Sequence, residues 1–184
     1  MDLPCLFTDR LILRAPAAED AAPLIKILCQ DFVRRYNCLG TPLTEEAMAK
    51  MLEANAATGS QFVLEHRSSG RVIGSVGLQE DSLRYRVSAV GIDYYLSEEF
   101  AGKGYMTEAL TELIGWLFST RRPELISARV FTENTASLRL LAKLGFQREG
   151  VLRRAIRNFE DKVFDDVIFS LLKEDYESRT LPSR

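Results

Sequence analysis

"FAGKGYMTEAL", Phe100 to Leu110, decides the fold because it joins two different periodicities. Upstream, "AVGIDYYL" (residues 89–96) reads as a strand. Downstream, Met106, Ala109, Leu110, Leu113, Ile114, Leu117 and Phe118 recur at three- and four-residue intervals, which predicts a helix from Gly104 to Ser119. Glu108 falls in its first turn, where a carboxylate suits the helix dipole. Between strand and helix stands Gly102-Lys103-Gly104. A helix start offers unpaired N–H groups, and glycine lets that backbone close on an anion. Gly102, Lys103, Gly104, Tyr105 and Met106 can therefore cradle a diphosphate, or the glycines can simply turn a strand into a helix. The loop alone does not separate these readings. It is not a nucleotide-triphosphatase loop, because glycine and not Ser/Thr follows the lysine, and it lacks the third glycine of a dinucleotide fingerprint.

Outward from the loop, "RLILRA" alternates as a half-buried strand, "EDAAPLIKILCQ" is amphipathic, and "LTEEAMAKMLEANAA" is a helix with Thr44 as N-cap. The segment Asp31 to Pro42 between those helices reads as a loop. "QFVLEH" and "RVIGSVGLQ" form a hairpin across Ser-Ser-Gly, which His66 would cap. "ELISARVF" is a strand, "NTASLRLLAKLGF" a helix closed by Gly145, and "FQREGVLRRAIRN" with "KVFDDVIFSLLK" a long hairpin around "FED". The order β-α-α-β-β-β-α-β-α-β-β predicts an α+β fold: a mixed, mostly antiparallel sheet of about seven strands flanked by helices. Its one β-α-β unit should be parallel with a right-handed crossover. Residues 1–176 read as a single domain and 177–184 as a polar, flexible tail.

Bulk properties narrow the function classes. With 184 residues, 46% hydrophobic and 27% charged, the chain suits one globular domain. A net charge of -2 argues against a large nucleic-acid footprint. Three cysteines without C-x-x-C spacing argue against a disulfide framework, and a single histidine leaves too few ligands for a His/Cys zinc site, so no metal is expected. "MDLPCLFTDR" lacks a basic-then-apolar signal pattern and no apolar run reaches membrane-spanning length, which predicts a soluble cytoplasmic protein.

A second block decides what the loop holds. "TENTASLRLLAKLGFQREG" presents Asn134, Ser137, Arg139, Lys143, Gly145 and Phe146 at the spacing N-x-x-S-x-R-x-x-x-K-x-G-F. Together with Ala101-Gly102-Lys103-Gly104-Tyr105-Met106, it makes the chain resemble the GNAT superfamily of acyl-CoA N-acyltransferases, in particular the RimJ/RimL branch that acetylates ribosomal-protein N-termini. "TDRLILR" and "DDVIFSLL" extend the resemblance from about Thr8 to Leu172. Ala101 and Met106 depart from the family's Gln/Arg and small residue without removing a backbone donor.

The resemblance implies acetyl-CoA as cosubstrate. Its diphosphate would lie on the amides of Gly102 to Thr107, and its pantetheine arm in a gap between "GIDYYL" and "ISARVF", against backbone near Tyr94, Tyr95 and Leu96. Asn134 would meet the arm, though Asn is also a leading N-cap with Ser137 as its N3 partner. Arg139 and Lys143 can reach CoA phosphates or belong to a solvated helix face. Ser137 is the family-position proton donor to the thiolate, with Tyr94 and Tyr95 as rival hydroxyls.

Acyl transfer needs a neutral amine, a stabilised oxyanion and a protonated leaving sulfur. No G-x-S-x-G or Cys/His pair is present, so direct transfer is expected. Asp93 and Glu98 are the candidate bases, with Glu99 also flanking the loop and Asp165-Asp166 on the last hairpin as the other carboxylates. "AIRN" lacks the hairpin carboxylate of some relatives, which favours a weakly basic α-amine, pKa about 8, over a lysine. A protein N-terminus is therefore the expected acceptor. A polyamine, aminoglycoside or amino sugar is the alternative, and a non-catalytic CoA-binding regulator a third. Arg148, Arg153, Arg154 and Arg157 either attract an acidic substrate or pair with Glu149, Glu160 and Asp161. A homodimer is left open.

Overall fold

The computed structural model describes residues 3–37, 44–158 and 161–180. Among these, eight strands form one sheet in the order β1-β2-β3-β4-β5-β6-β8-β7. They are β1 (Leu6–Phe7), β2 (Leu11–Arg14), β3 (Gln61–His66), β4 (Arg71–Glu80), β5 (Ala89–Leu96), β6 (Leu125–Phe131), β7 (Gln147–Arg157) and β8 (Val163–Leu172). All pairings are antiparallel except β5 with β6. The parallel step comes where the sequence places it, because α4 (Tyr105–Trp116) intervenes between those strands.

The strand beyond the expected seven is β1, which folds back on β2 with Leu6 opposite Leu13. Two residues are too few to show alternation. A second difference is α2 (Asp31–Arg34), a single helical turn at the start of the segment read as a loop. Residues 38–43 of that segment, and 159–160 of the "FED" turn, lie outside the described residues. A third is α6 (Lys173–Thr180), which carries helix past Glu177, where the polar composition suggests a tail; residues 181–184 are outside the described set. Tyr176 secures α6 by stacking on Phe118 at 5.0 Å between ring centroids.

Two apolar clusters hold the sheet. On one face the α4 stripe packs with Leu141 of α5 (Thr135–Leu144) against Leu13, Phe62, Val76 and Val130. All seven stripe positions are buried, although the helix loosens into a wider π turn over Leu117–Arg121. On the other face α1 (Ala21–Leu28) and α3 (Glu45–Thr58) cover Val63 with Leu24, Met48 and Leu52. Thr44 caps α3 by accepting from the Ala47 N–H, and Gly145 closes α5 at φ 97°.

Candidate active site

The site begins where β5 and β6 stop pairing. Their ladder runs from Ala89 opposite Leu125 to Ile92 opposite Ala128 and then ends. Beyond it β5 stays bonded to β4, through Asp93 opposite Gly77 and Leu96 opposite Gly74, while β6 stays bonded to β8. Each strand follows its outer neighbour as the sheet twists, so a wedge opens and one backbone edge of Asp93–Leu96 is left unpaired. Two connected clefts, about 500 and 600 Å³, meet at this wedge and share Tyr94, Tyr95, Asn134, Ser137 and Tyr36.

The first cleft runs over the glycine loop. Gly102 and Gly104 have φ of +71° and +83°, the left-handed region that favours glycine. An added Cβ at Gly102 would meet nothing within 4 Å, so backbone conformation, not space, demands glycine there. No backbone N–H from Gly102 to Thr107 donates to any described residue. These amides line a helix start with its positive dipole end, which is an anion cradle. Met106 turns into the core and is 7% exposed, while Thr107 and Tyr105 face the cleft. Lys103 points to solvent and does not line it. On the facing helix, Asn134 accepts from the Ser137 N–H at 3.2 Å, the N-cap the spacing suggests, but the reciprocal bond is replaced: the Asn134 N–H donates to the Phe131 carbonyl at 2.9 Å. Arg139 and Lys143 stand exposed on this cleft's rim and make no ion pair with a described residue.

A clamp stiffens this loop. Glu108 receives hydrogen bonds from the Thr8 hydroxyl at 2.5 Å, the Arg10 backbone N–H at 2.8 Å and Arg10 Nε at 2.6 Å. Arg10 also donates to the Lys103 carbonyl at 3.0 Å and lies over the Tyr105 ring. Desolvation alone would raise the Glu108 carboxyl, but these donors more than offset it and hold it below the usual range. His66 caps its hairpin through Ser69 at 2.8 Å, and its other ring nitrogen meets the Tyr105 hydroxyl at 3.2 Å. Sequence reading gave Glu108 only a dipole role. "TDRLILR" was the signal for the clamp, but nothing local says that its Thr and Arg reach a residue about a hundred positions away.

The second cleft is lined by side chains. Asp93 is open to the cleft and makes no hydrogen bond or ion pair with a described residue. The cleft walls crowd out bulk solvent and raise its carboxyl above the usual range. The carboxylate lies across Gly77, where a Cβ would come within 2.4 Å of Oδ2. Tyr94 packs toward the α4 side and Tyr95 toward the α1/α3 side, as alternation requires. Burial pushes the Tyr94 phenol up to about 12, slightly relieved by neighbouring Ser137. Its hydroxyl is enclosed without a hydrogen bond of regular geometry. Tyr95 is raised further by burial, with Ser75 beside it and Asp93 adding to the effect.

The other candidate carboxylates are placed elsewhere. Glu98 is exposed and lines neither cleft, and Glu99 pairs with Arg71 at 2.7 Å. Asp165 accepts from the Arg154 N–H at 2.8 Å. Asp166 is fully buried against Arg129 Nε at 2.5 Å; desolvation raises its carboxyl against the opposing pull of Arg129. Of the hairpin arginines, Arg157 pairs with Asp161, while Glu149 takes Arg84 instead. Gly77, Arg129 and Tyr36, which donates to the Glu133 carbonyl at 3.1 Å, went unnoticed in sequence. Their role depends on strand register and on chain segments far apart.

A wedge in a mixed sheet thus leads to a glycine-made anion cradle, and likeness to known proteins assigns this architecture to a family. The family model described as "Acetyltransferase (GNAT) domain" matches residues 10–147. "Uncharacterized N-acetyltransferase YoaA" of Bacillus subtilis is 33% identical over 175 residues, 92% of this chain and 97% of its own. The "[Ribosomal protein uS5]-alanine N-acetyltransferase" of Escherichia coli is 29% identical over 156 residues, 79% of each chain. The solved structure "Mycobacterium smegmatis RimJ in complex with CoA-disulfide" superposes with a TM-score of 0.76 at 24% identity, covering 90% of this chain and 83% of that one, a likeness of fold. The chain belongs to the GNAT acetyltransferase family.

Proposed function

We propose that this N-acetyltransferase takes acetyl-CoA in the first cleft and transfers acetyl directly to a primary amine entering by the second, with a protein N-terminal α-amine as acceptor. The observation that carries this reading is the meeting, at one wedge, of the unpaired amides of Gly102 to Thr107 with the unpartnered carboxylate of Asp93. The amides would hold the diphosphate, Arg139 and Lys143 the outer phosphate, and the free edge of Tyr94 to Leu96 the pantetheine amides. Bound there, acetyl-CoA supplies the activated acyl group.

Asp93 then takes the proton from the acceptor's ammonium. A raised carboxyl pKa brings it closer to an α-amine near pKa 8, which eases that transfer. Tyr94, protonated at neutral pH, donates a hydrogen bond to the departing sulfur. A thiol titrates near pKa 8.5, below this phenol, so the sulfur can leave as thiolate without taking the phenol's proton; the proton that the attacking nitrogen sheds as the amide forms goes to that thiolate, and CoA departs as the thiol. Ser137 adds a second hydroxyl at the same junction. Cys5 and Cys29 are free and exposed, which suits work in the reducing cytoplasm.

Thiol release from acetyl-CoA in the presence of N-terminal peptides, polyamines and aminoglycosides tests the reading. Fastest turnover with peptides supports it. Turnover confined to polyamines or aminoglycosides moves the acceptor to a small molecule. Binding of CoA by calorimetry without turnover of any amine would leave a CoA-binding regulator.

A further inference from the structure

Asp93 and Arg129 are the next residues in register after the last β5/β6 pair, Ile92 opposite Ala128, and both line the second cleft. They form no ion pair with each other; each turns to its own outer strand. The Asp93 carboxylate lies over Gly77 of β4, and Arg129 donates through Nε to Asp166 of β8. Asp166 is fully buried, so it fixes the guanidinium from behind. Only Nε is used. The two terminal nitrogens of Arg129 bond no described residue, and its side chain is 40% exposed, open to the cleft. A planar fork of free N–H donors thus faces the cleft across the wedge from an unpartnered carboxylate. Such a fork binds carbonyl and carboxylate oxygens. Because Asp166 neutralises its charge locally, it does not repel a nearby ammonium as a bare cation would.

We propose that Arg129 selects the acceptor by binding the oxygen on the carbon next to the one that bears the reacting amine, so that this enzyme acetylates α-aminoacyl compounds in preference to simple amines. The inference rests on the acetyltransferase reading above. It adds what the acceptor must carry: an amine for Asp93 and, three bonds from that nitrogen, an oxygen for Arg129. Peptide N-termini and free amino acids share that chemistry. Polyamines do not.

The test compares the wild type with Arg129→Gln and Arg129→Lys on three acceptors: an alanine-initiated peptide amide, free alanine, and isopropylamine, which lacks the oxygen. Acceptors differ in amine pKa, so the quantity read is each variant's kcat/KM relative to wild type on the same acceptor. Arg129→Gln is expected to lower that ratio about 10- to 100-fold for the oxygen-bearing acceptors, the scale of a lost hydrogen bond to a charged group, and to leave it unchanged for isopropylamine. Arg129→Lys should fall between, keeping the charge and losing the fork. In the wild type, the faster of peptide amide and free alanine tells whether a carbonyl or a carboxylate is recognised. Equal losses on all three acceptors, or no loss on any, would overturn the inference while acetyl transfer stands. A wild type that binds CoA yet acetylates no amine would instead remove the activity, and the inference with it. Unchanged CoA affinity by calorimetry confirms that each variant is folded.

Discussion

The two clefts that meet at the β5/β6 wedge are built from different materials. The first is made of backbone: left-handed glycines, a helix start and an unpaired strand edge, stiffened by Arg10 and Glu108. The second is lined by side chains, Asp93 of β5 and Arg129 of β6 among them, with Gly77 of β4 beneath the Asp93 carboxylate and buried Asp166 of β8 behind Arg129. Backbone binds what every member of a family must hold, since amides survive most substitutions. Side chains set what one member acts on. Mutations should therefore split cleanly, those in the second cleft altering chemistry and acceptor, those around the first altering cosubstrate affinity.

The largest break of that split is expected from Asp93→Asn. Losing the base should lower kcat by about 10²- to 10⁴-fold while CoA affinity by calorimetry stays unchanged. The wild-type kcat/KM should fall as the pH drops through the raised Asp93 pKa, at higher pH than an ordinary carboxylate would give, and the variant should lack that limb. Stability runs the other way. A carboxyl whose pKa is higher in the folded state binds protons more tightly there, so it costs stability above that pKa. Asp93→Asn should thus keep or slightly raise Tm at neutral pH, whereas a loss of Tm would mean that Asp93 is structural.

Gly77→Ala comes next. The new Cβ would meet Asp93 Oδ2 at 2.4 Å and Cγ at 2.9 Å, so the carboxylate must swing away. A misplaced base is expected to cost about 10²-fold in kcat, again at unchanged CoA affinity. Gly104→Ala tests the other half. A left-handed φ of +83° strains alanine by roughly 1–2 kcal/mol and should weaken CoA binding by about tenfold, with little change in acceptor selectivity.

What was legible in the sequence follows the same division. "GKG" at a strand-to-helix change and the capped "NTASLRLL" block were readable because each is local: a few adjacent residues set the φ angles, the cap and the free amides. Tyr94, Tyr95, Asn134 and Ser137 could be named from the family resemblance, and all four line both clefts. The Asp93 carboxylate could be proposed but not distinguished from Glu98, because exposure at the end of a strand depends on how the sheet splays. Arg129, Asp166 and Gly77 carried no local signal at all. Their positions come from pairing β6 with β8 and β4 with β5, which no short stretch encodes. The same holds for β1, whose two residues gain their strand conformation only from β2.

The smallest expected effect is the most pointed for the backbone half. Glu108→Gln keeps the size of the side chain and removes the charge that Thr8 and Arg10 address. A carboxyl held below its usual pKa adds stability that is present at neutral pH and lost as the pH falls through the folded value. The variant should therefore melt lower than wild type at pH 7, by about 2–4 °C for each kcal/mol lost in a domain of this length, and the gap should close in acid. Glu108 touches neither cleft, so kcat should hold while the KM for acetyl-CoA rises a few-fold as the loop loosens. A Tm that drops with no change in KM would mean that the clamp serves folding only, and that the glycine loop keeps its shape without it.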